Sequence, residues 1–369
     1  MNKKLLAVAL ATAFAAPAMA DGVTIYGAFD VGVAVRGSAA NGNKGTQGGT
    51  VSTVASGMNG HNGIGFKMSE DLGNGMTISG DAMFGFALDA AGVSPSGSAN
   101  GGLQAIYSYV ALSGDFGTVI GGRAGGARAG FIKKYDPFGG FGVGGALAAQ
   151  GGGADYADNV LAWITPEVFP GLKMLFAYTS NLLGQDRSST GATCNATEST
   201  GVANKNCTSS PLYAIAGLYN MGPIDLTVAY ENLTLDGTGT NHRDVWTGGG
   251  SYDFGVAKVM ANYNYIEGIV HGWQVGALAP VSTATSLKLS YNTSQAGGKC
   301  SKVAAGVNHD LSKRTRIYAD VAHLTDDNGA CTGGLTTGSG GAYASAGAGR
   351  DDGVGYGKTG MNVGIRHSF

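Results

Sequence analysis

The sequence predicts an all-β fold, a sixteen-stranded antiparallel transmembrane β-barrel over residues 21–369. Three observations predict it. Segments of about ten residues alternate in polarity, the length needed for a tilted strand to cross the apolar layer. The connectors between them alternate strictly between long and short. Charged residues make up only 13% of the chain, where about 25% is usual for soluble domains.

The N-terminus sets the compartment. Met1-Asn2-Lys3-Lys4 is a basic head, Leu5 through Ala16 an uncharged apolar run, and Ala18-Met19-Ala20 a small-x-small cleavage pattern. These are the parts of a secretory signal peptide, so residues 1–20 are expected to be removed and the mature chain to begin at Asp21. The run is too short for a spanning helix. No cysteine follows the cleavage pattern, which argues against a lipoprotein anchor. After Asp21 no apolar stretch approaches helical membrane length. The 66 glycines disfavour helices at about 1 kcal/mol each against Ala. The formal net charge of −2 becomes about −4 without Lys3 and Lys4 and offers no basic surface to nucleic acid. Cys194, Cys207, Cys300 and Cys331 are an even set in an exported chain and are disulfide candidates. Cys194–Cys207 with Cys300–Cys331 is one of three possible pairings.

The first strand, at 23–35, puts Val23, Ile25, Gly27, Phe29, Val31, Val33 and Val35 on one face, and Thr24, Tyr26 and Asp30 on the other. Long connectors are expected near 36–60, 89–103, 124–157, 181–210, 236–243, 267–270, 297–300 and 325–359. Short ones are expected near 72–75, 114–116, 166–171, 221–223, 253–255, 280–285 and 311–315. Eight and seven connectors make sixteen strands and place both ends at one rim, with short turns there and long loops opposite, as in outer-membrane barrels. At 257–265, Ala257, Val259, Ala261, Tyr263 and Tyr265 alternate with Lys258, Met260, Asn262 and Asn264. Near 286–295, Leu287, Leu289 and Tyr291 alternate with Ser286, Lys288 and Ser290. Near 317–323, Ile317, Ala319 and Val321 alternate with Arg316, Tyr318 and Asp320. The last strand sets Met361, Val363, Ile365, His367 and Phe369 against Asn362, Gly364, Arg366 and Ser368. The polar sets are expected to face an internal lumen, and tyrosines at strand ends to form interfacial girdles. Closure follows because hydrocarbon leaves no partner for an open strand edge. Sixteen strands enclose a lumen too wide for side chains to fill, so water enters.

Five segments in order carry a family resemblance: Val23-Thr24-Ile25-Tyr26-Gly27; Ser69-Glu70-Asp71-Leu72-Gly73-Asn74-Gly75; Leu112-Ser113-Gly114-Asp115-Phe116-Gly117-Thr118-Val119 followed by Gly122-Arg123; Ser312-Lys313-Arg314-Thr315 followed by Ile317-Tyr318-Ala319; and Gly364-Ile365-Arg366-His367-Ser368-Phe369. Together they resemble the general porins of the beta-proteobacterial and neisserial type, over the whole mature chain. The resemblance implies passive diffusion of ions and small hydrophilic solutes through a water-filled channel in the bacterial outer membrane. It implies a homotrimer, contacts with outer-membrane lipid and lipopolysaccharide, and a terminal Phe369 read by the barrel-assembly machinery. It implies a third loop folded into the lumen as a constriction, here 124–157, where Tyr135-Asp136-Pro137-Phe138-Gly139 resembles the family's loop motif. Basic wall residues would face acidic loop residues across the passage. By parity or motif the wall candidates are Arg123, Lys67, Lys288, Arg316 and Arg366, and the loop candidates Asp136, Asp155 and Asp158. Arg123 shares parity with Val119 and is kept for the Gly-Arg motif. The loop's Gly139–Ala146 stretch is poor in charge, so bulk is expected to matter beside field.

Other signals carry less. Gly140-Phe141-Gly142-Val143-Gly144-Gly145 spells a dinucleotide fingerprint without the helix that should follow it. Asp326-Asp327-Asn328-Gly329 lacks the spaced ligands of a calcium loop. The histidines His61, His242, His271, His309, His323 and His367 form no helical ligand pair, and His309 and His367 read as interface residues at strand ends. No cofactor, metal or catalytic residue is expected. A substrate-specific channel and a barrel enzyme are the alternatives, the second lacking any marked nucleophile–base pair. Size is expected to dominate selection, with a slight preference for anions.

Overall fold

The computed structural model describes residues 22–38, 50–89, 104–146, 156–180, 211–234, 242–268, 270–295, 299–326 and 356–369. The expected leader 1–20, Asp155, Cys194, Cys207 and Cys331 lie outside the described residues.

Polar–apolar alternation builds a single closed antiparallel sheet. In chain order its strands are β1 (Gly22–Ser38), β2 (Thr50–Ser56), β3 (Gly63–Gly73), β4 (Met76–Gly85), β5 (Gln104–Gly114) and β6 (Gly117–Gly125). After the helix α1 (Ala127–Lys134) come β7 (Tyr156–Ile164), β8 (Leu172–Thr179), β9 (Leu212–Met221), β10 (Ile224–Thr234), β11 (His242–Asp253) and β12 (Lys258–Ile266). The last are β13 (Val270–Pro280), β14 (Thr285–Gln295), β15 (Lys299–Asp310), β16 (Thr315–Asp326) and β17 (Tyr356–Ser368). Each strand pairs with its sequence neighbour from β3 to β17, and β17 pairs with β1 to close the ring. The seam is tied at its end, where Gly27 and Phe369 each donate a backbone N–H to the other's carbonyl at 3.0–3.1 Å.

Seventeen strands make sixteen staves because β2 and β3 share one. β3 pairs with Gly22–Ala28 of β1 and β2 with Val31–Gly37. The strand β2 lies inside the expected 36–60 connector and corrects it. Between β2 and β3, residues 57–62 leave the ladder. Asn62 takes its place: its Oδ1 accepts the Asp30 N–H and its Nδ2 donates to the Asp30 carbonyl at 3.1 Å. The six other short connectors fall at the tight turns after β5, β7, β9, β11, β13 and β15, and the first at Asn74-Gly75, where Asn74 takes a positive φ of 52°.

The radial pattern is inverted relative to a soluble domain. On β14, Leu289 is 58% exposed while neighbouring Lys288 is 1% exposed. The outer face is apolar and carries ring pairs such as Trp163–Phe176, stacked at 5.7 Å, and Trp273–Tyr291 at 5.5 Å. This band suits hydrocarbon and its interfaces. Inside, β5–β10 present a small apolar patch of Ala111, Ile120, Ala162, Leu175, Ala216 and Ala229. The strands β11–β17 present Asn264, Gln274, Asn292, Ser294 and Asn362 inward.

Candidate functional site

The segment 126–146 folds back on the inner wall. It opens with α1, which the sequence reading did not expect. Lys133 and Lys134 stand in its last turn, where cations suit the negative end of a helix. Phe131 of α1 packs on the apolar patch of β5–β10. Arg128 pairs with Glu231 at 3.8 Å, and Lys134 with Asp225 at 2.5 Å. Tyr135 donates its hydroxyl to Asp225 at 2.6 Å and lies 2.8 Å from the Thr227 hydroxyl.

Beyond Tyr135 the chain crosses β11–β17. Glycines make the room. A Cβ on Gly249 would sit 2.2 Å from the Tyr135 ring, one on Gly276 2.4 Å from Pro137, and one on Gly306 2.9 Å from the Phe138 ring. These three inward-facing positions let Tyr135, Pro137 and Phe138 lie close to the backbone wall. Side chains then bind the loop's main chain. Asn262 Nδ2 donates to the carbonyls of Ile132 and Tyr135, Asn362 Oδ1 accepts the Val143 N–H at 2.9 Å, and Lys302 Nζ donates to the Gly145 carbonyl.

Asp136 is the hub of this segment and is 5% exposed. It accepts the N–H groups of Phe138, Gly140 and Ala146 at 2.7–3.0 Å and the Gln274 amide at 2.8 Å. Its carboxylate therefore organises the loop, where the family resemblance implied a residue facing the basic wall across the passage. Lys288 lies beneath, 2.7 Å from Asp320 and 4.6 Å from the Phe138 ring centroid. Asp320 also accepts from Asn362 at 3.0 Å. Lys302, which the sequence reading missed, had the signal of inward parity with Ala304.

The opposite inner wall is more open. Lys67, with its side chain 24% exposed, stands 4.0 Å from Asp81 and 4.4 Å from the Tyr26 ring centroid. Tyr26 donates to Asp81 at 2.5 Å and lies 2.7 Å from the Tyr107 hydroxyl. Arg123, 27% exposed, pairs with Asp158 at 2.5 Å and caps the carbonyls of Ala105 and Ile106. Its discordant parity has a cause: the β6–β7 register shifts between Gly122 and Ala124, and Gly122 has φ +132°. A bulge there re-aims the side chain. Tyr156 at the head of β7 places its hydroxyl 3.1 Å from His61 Nε2, and the His61 ring meets Phe141 edge-on at 5.1 Å. The 57–62 insert thus touches the loop tip, a contact with no sequence signal.

Arg366 pairs across the sheet with Asp30 and with Arg316, and its Nη1 donates to the His61 carbonyl at 3.4 Å. Arg316 forms a two-point pair with Asp310 at 2.6 and 3.1 Å, near the rim of the short turns. Asp30 is buried and accepts from Tyr318. The strand-end histidines His309 and His367 sit 2.9 Å from Thr285 and Thr315 on neighbouring strands. Cys300 is disulfide-bonded. Tyrosines divide between the faces: Tyr213, Tyr263 and Tyr291 point outward, whereas Tyr26, Tyr109, Tyr135 and Tyr318 are inward. Among the described residues no group of three His, Cys, Asp or Glu is placed to hold a metal ion.

A sequence profile described as Gram-negative porin matches residues 7–329. Outer membrane porin protein 32 of Delftia acidovorans is 30% identical over 396 aligned residues spanning both chains completely. In fold the chain is similar to the anion-selective porin from Comamonas acidovorans, with a TM-score of 0.69 at 24% identity, covering 95% of this chain and all of that one. It is also similar to in-vitro-folded OmpT of Vibrio cholerae in its trimer form, with a TM-score of 0.56 at 12% identity, covering 95% and 100%.

Proposed function

The chain belongs to the Gram-negative porin family and is an outer-membrane porin, and on that premise we propose that its water path runs between the docked third loop and the inner wall of β1 and β3–β7. Ions and small hydrophilic solutes cross by passive diffusion. The observation that carries the proposed path is the contrast in exposure. Side chains under the loop, such as Lys288, Lys302 and Gln274, are buried, while Lys67 and Arg123 across from it remain partly exposed. The loop, 124–157, acts as the constriction, with bulk from Phe141 and charge from Lys133.

Anions are favoured. The open wall carries Lys67 and Arg123 beside Asp81 and Asp158, and the loop tip adds Lys133 and Arg366 near His61, with Asp30 opposite Arg366 in the sheet. A charged narrow passage sorts ions by sign. The fold relative described as anion-selective agrees with this reading, which rests on the chain's own residues. Reversal potentials across a planar bilayer in a KCl gradient test it: a chloride preference is expected, and a potassium preference overturns it.

The working unit is a homotrimer in outer-membrane lipid with lipopolysaccharide around it, and the chain leaves its signal peptide at Asp21. OmpT in its trimer form is the fold relative that supports the trimer. Conductance steps in groups of three are the expected record. Phe369, with its ring 5.5 Å from Phe29, is the terminal residue read by the barrel-assembly machinery. Cys300 pairs with Cys331, and Cys194 with Cys207. Mapping of non-reduced peptides checks that pairing.

A further inference from the structure

We propose that the cavity between the start of α1 and the inner wall of β7–β10 is a binding site for a zwitterionic amino acid with a small aliphatic side chain. Arg128 holds the α-carboxylate and Glu231 the α-ammonium. The inference goes beyond the proposed water path and does not depend on which sign of ion that path prefers.

The wall is hollowed by its own sequence. Cross-strand pairing sets Ala162 of β7, Ala177 of β8, Ala214 of β9 and Glu231 of β10 in one row. Their neighbours Trp163, Phe176 and Ile215 are exposed on the outer face, while Ala162, Ala214 and Glu231 are buried. Three methyl groups in succession leave the inner surface low. Phe131 fills part of the space under α1. A cavity of about 70 Å³ remains, bounded by the alanine row, Ile120 and residues 125–128. Packed interiors leave few voids larger than one water. This one is about half the roughly 150 Å³ that takes a benzene ring, so it has room for a few carbon atoms and no ring.

Two charged side chains border the cavity, and they pair poorly with each other. Arg128 and Glu231 are each 4% exposed. Arg128 Nη1 lies 3.8 Å from Glu231 Oε2, beyond the roughly 2.7–2.9 Å of a charge-assisted hydrogen bond. Among the described residues, Arg128 Nε and Nη1 are buried and meet no hydrogen-bond acceptor. Buried donors left unmatched are costly, and a ligand carboxylate would supply the acceptors. The N-cap residue Gly126 brings no side chain to the first turn of α1, whose positive end favours a carboxylate. Glu231 accepts the Arg128 backbone N–H through Oε1 at 3.3 Å, and Oε2 is the oxygen for an ammonium. A simple carboxylate would meet Glu231, and a simple amine would meet Arg128. A zwitterion offers each sign to its complement and lays its side chain over the alanine row.

The test is equilibrium dialysis of labelled L-valine against the full-length protein in detergent, with unlabelled competitors. Saturable uptake is expected, and its absence overturns the site. Isobutyrate and isobutylamine, each lacking one charge, should compete about ten-fold more weakly than valine, the scale of one hydrogen bond to a charged group. Glycine should be weaker by a similar factor for want of apolar burial, and L-phenylalanine weaker than valine because its ring exceeds the cavity. Competition by isobutyrate or isobutylamine equal to that of valine overturns the zwitterion. Ala177→Val narrows the cavity without touching either charge and should shift the preference from valine to alanine. An unchanged preference refutes the placement of the side chain. Arg128→Met combined with Glu231→Gln removes both charges, so that neither stays buried alone, and should abolish uptake. Retained uptake refutes the assignment of the two residues. If that double variant does not fold, the preference of Ala177→Val and the ranking of competitors decide.

Discussion

The inner wall beneath the third loop and the inner wall facing it draw on the same residue types and put them to different use. Lys288 and Lys67 both project inward from strands of alternating polarity. Lys288 is sealed under Phe138 against Asp320, and Lys67 stands at the edge of the lumen near Asp81. Burial turns the first into part of a loop-docking network, where a broken pair is costly. The second keeps its side chain 24% exposed, in contact with water, although its partner Asp81 is buried. Charge alone does not assign a lumen residue to transport; its place relative to the loop does.

Substitutions should separate the two walls. The largest effect is expected from Asp136→Asn. Its amide would turn an N–H2 toward backbone donors that the second carboxylate oxygen now accepts. Two buried N–H groups then lose their partner, at about 1–3 kcal/mol each. Noisy, enlarged currents and faster proteolysis within 126–146 would report the released loop, and quiet wild-type currents would break the comparison. Lys288→Met comes next. It strands the Asp320 carboxylate, at about 3–5 kcal/mol, and should lower the thermal midpoint in detergent. Adding Asp320→Asn should restore most of that loss.

On the facing wall, Lys67→Gln should lower the thermal midpoint less than Lys288→Met does, because the pair is 4.0 Å long and buried Asp81 keeps the Tyr26 hydroxyl as a donor, while the chloride preference drops measurably. A large loss of stability with unchanged selectivity would reverse the assignment. An effect felt only on acidification concerns His61, at the junction of insert and loop tip. Burial first, then the charges of Lys133 and Arg366, push its imidazole down to about 3. An unfolded histidine titrates near 6.5, so below that pH the unfolded chain binds a proton that the folded chain refuses. The stability tied to this group is whole above about pH 6.5 and declines as pH falls toward 3. Melting followed from pH 7 to 4 should show a flatter profile in His61→Phe than in the wild type. Parallel profiles would remove His61 from the acid response.

Much of this was legible in the sequence, for physical reasons. A wall one strand thick between hydrocarbon and water forces strict alternation, so the inward placement of Lys288, Asp320 and Asn362 followed from parity. Tight turns announced themselves through Asn74-Gly75 and Ser312-Lys313-Arg314-Thr315. What stayed hidden depended on tertiary contact. The strand β2, Thr-Val-Ser-Thr-Val-Ala-Ser, is short and follows a Gly-rich run, and only pairing with β1 gives it form. The helix α1 contains Gly130 and follows Gly125-Gly126, so local propensity argued against it, while packing of Phe131 on the alanine-rich patch supports it. The bulge that re-aims Arg123 lies in a register shift, which no parity count detects. Asp136 was singled out as a residue of the loop, but its four donors come from positions that converge only after folding.

The paired bonds between Gly27 and Phe369 join the first strand of the sheet to the residue that follows β17. Because β17 comes after every other strand in chain order, the cylinder has no way to shut until the strands before it have been made. Until then the edges of β1 and β17 lack their partners, and such edges invite pairing with other chains. Fastening of the ring is thus deferred to the strand that arrives after all the rest, which leaves the nascent sheet in need of a partner that shields its two edges.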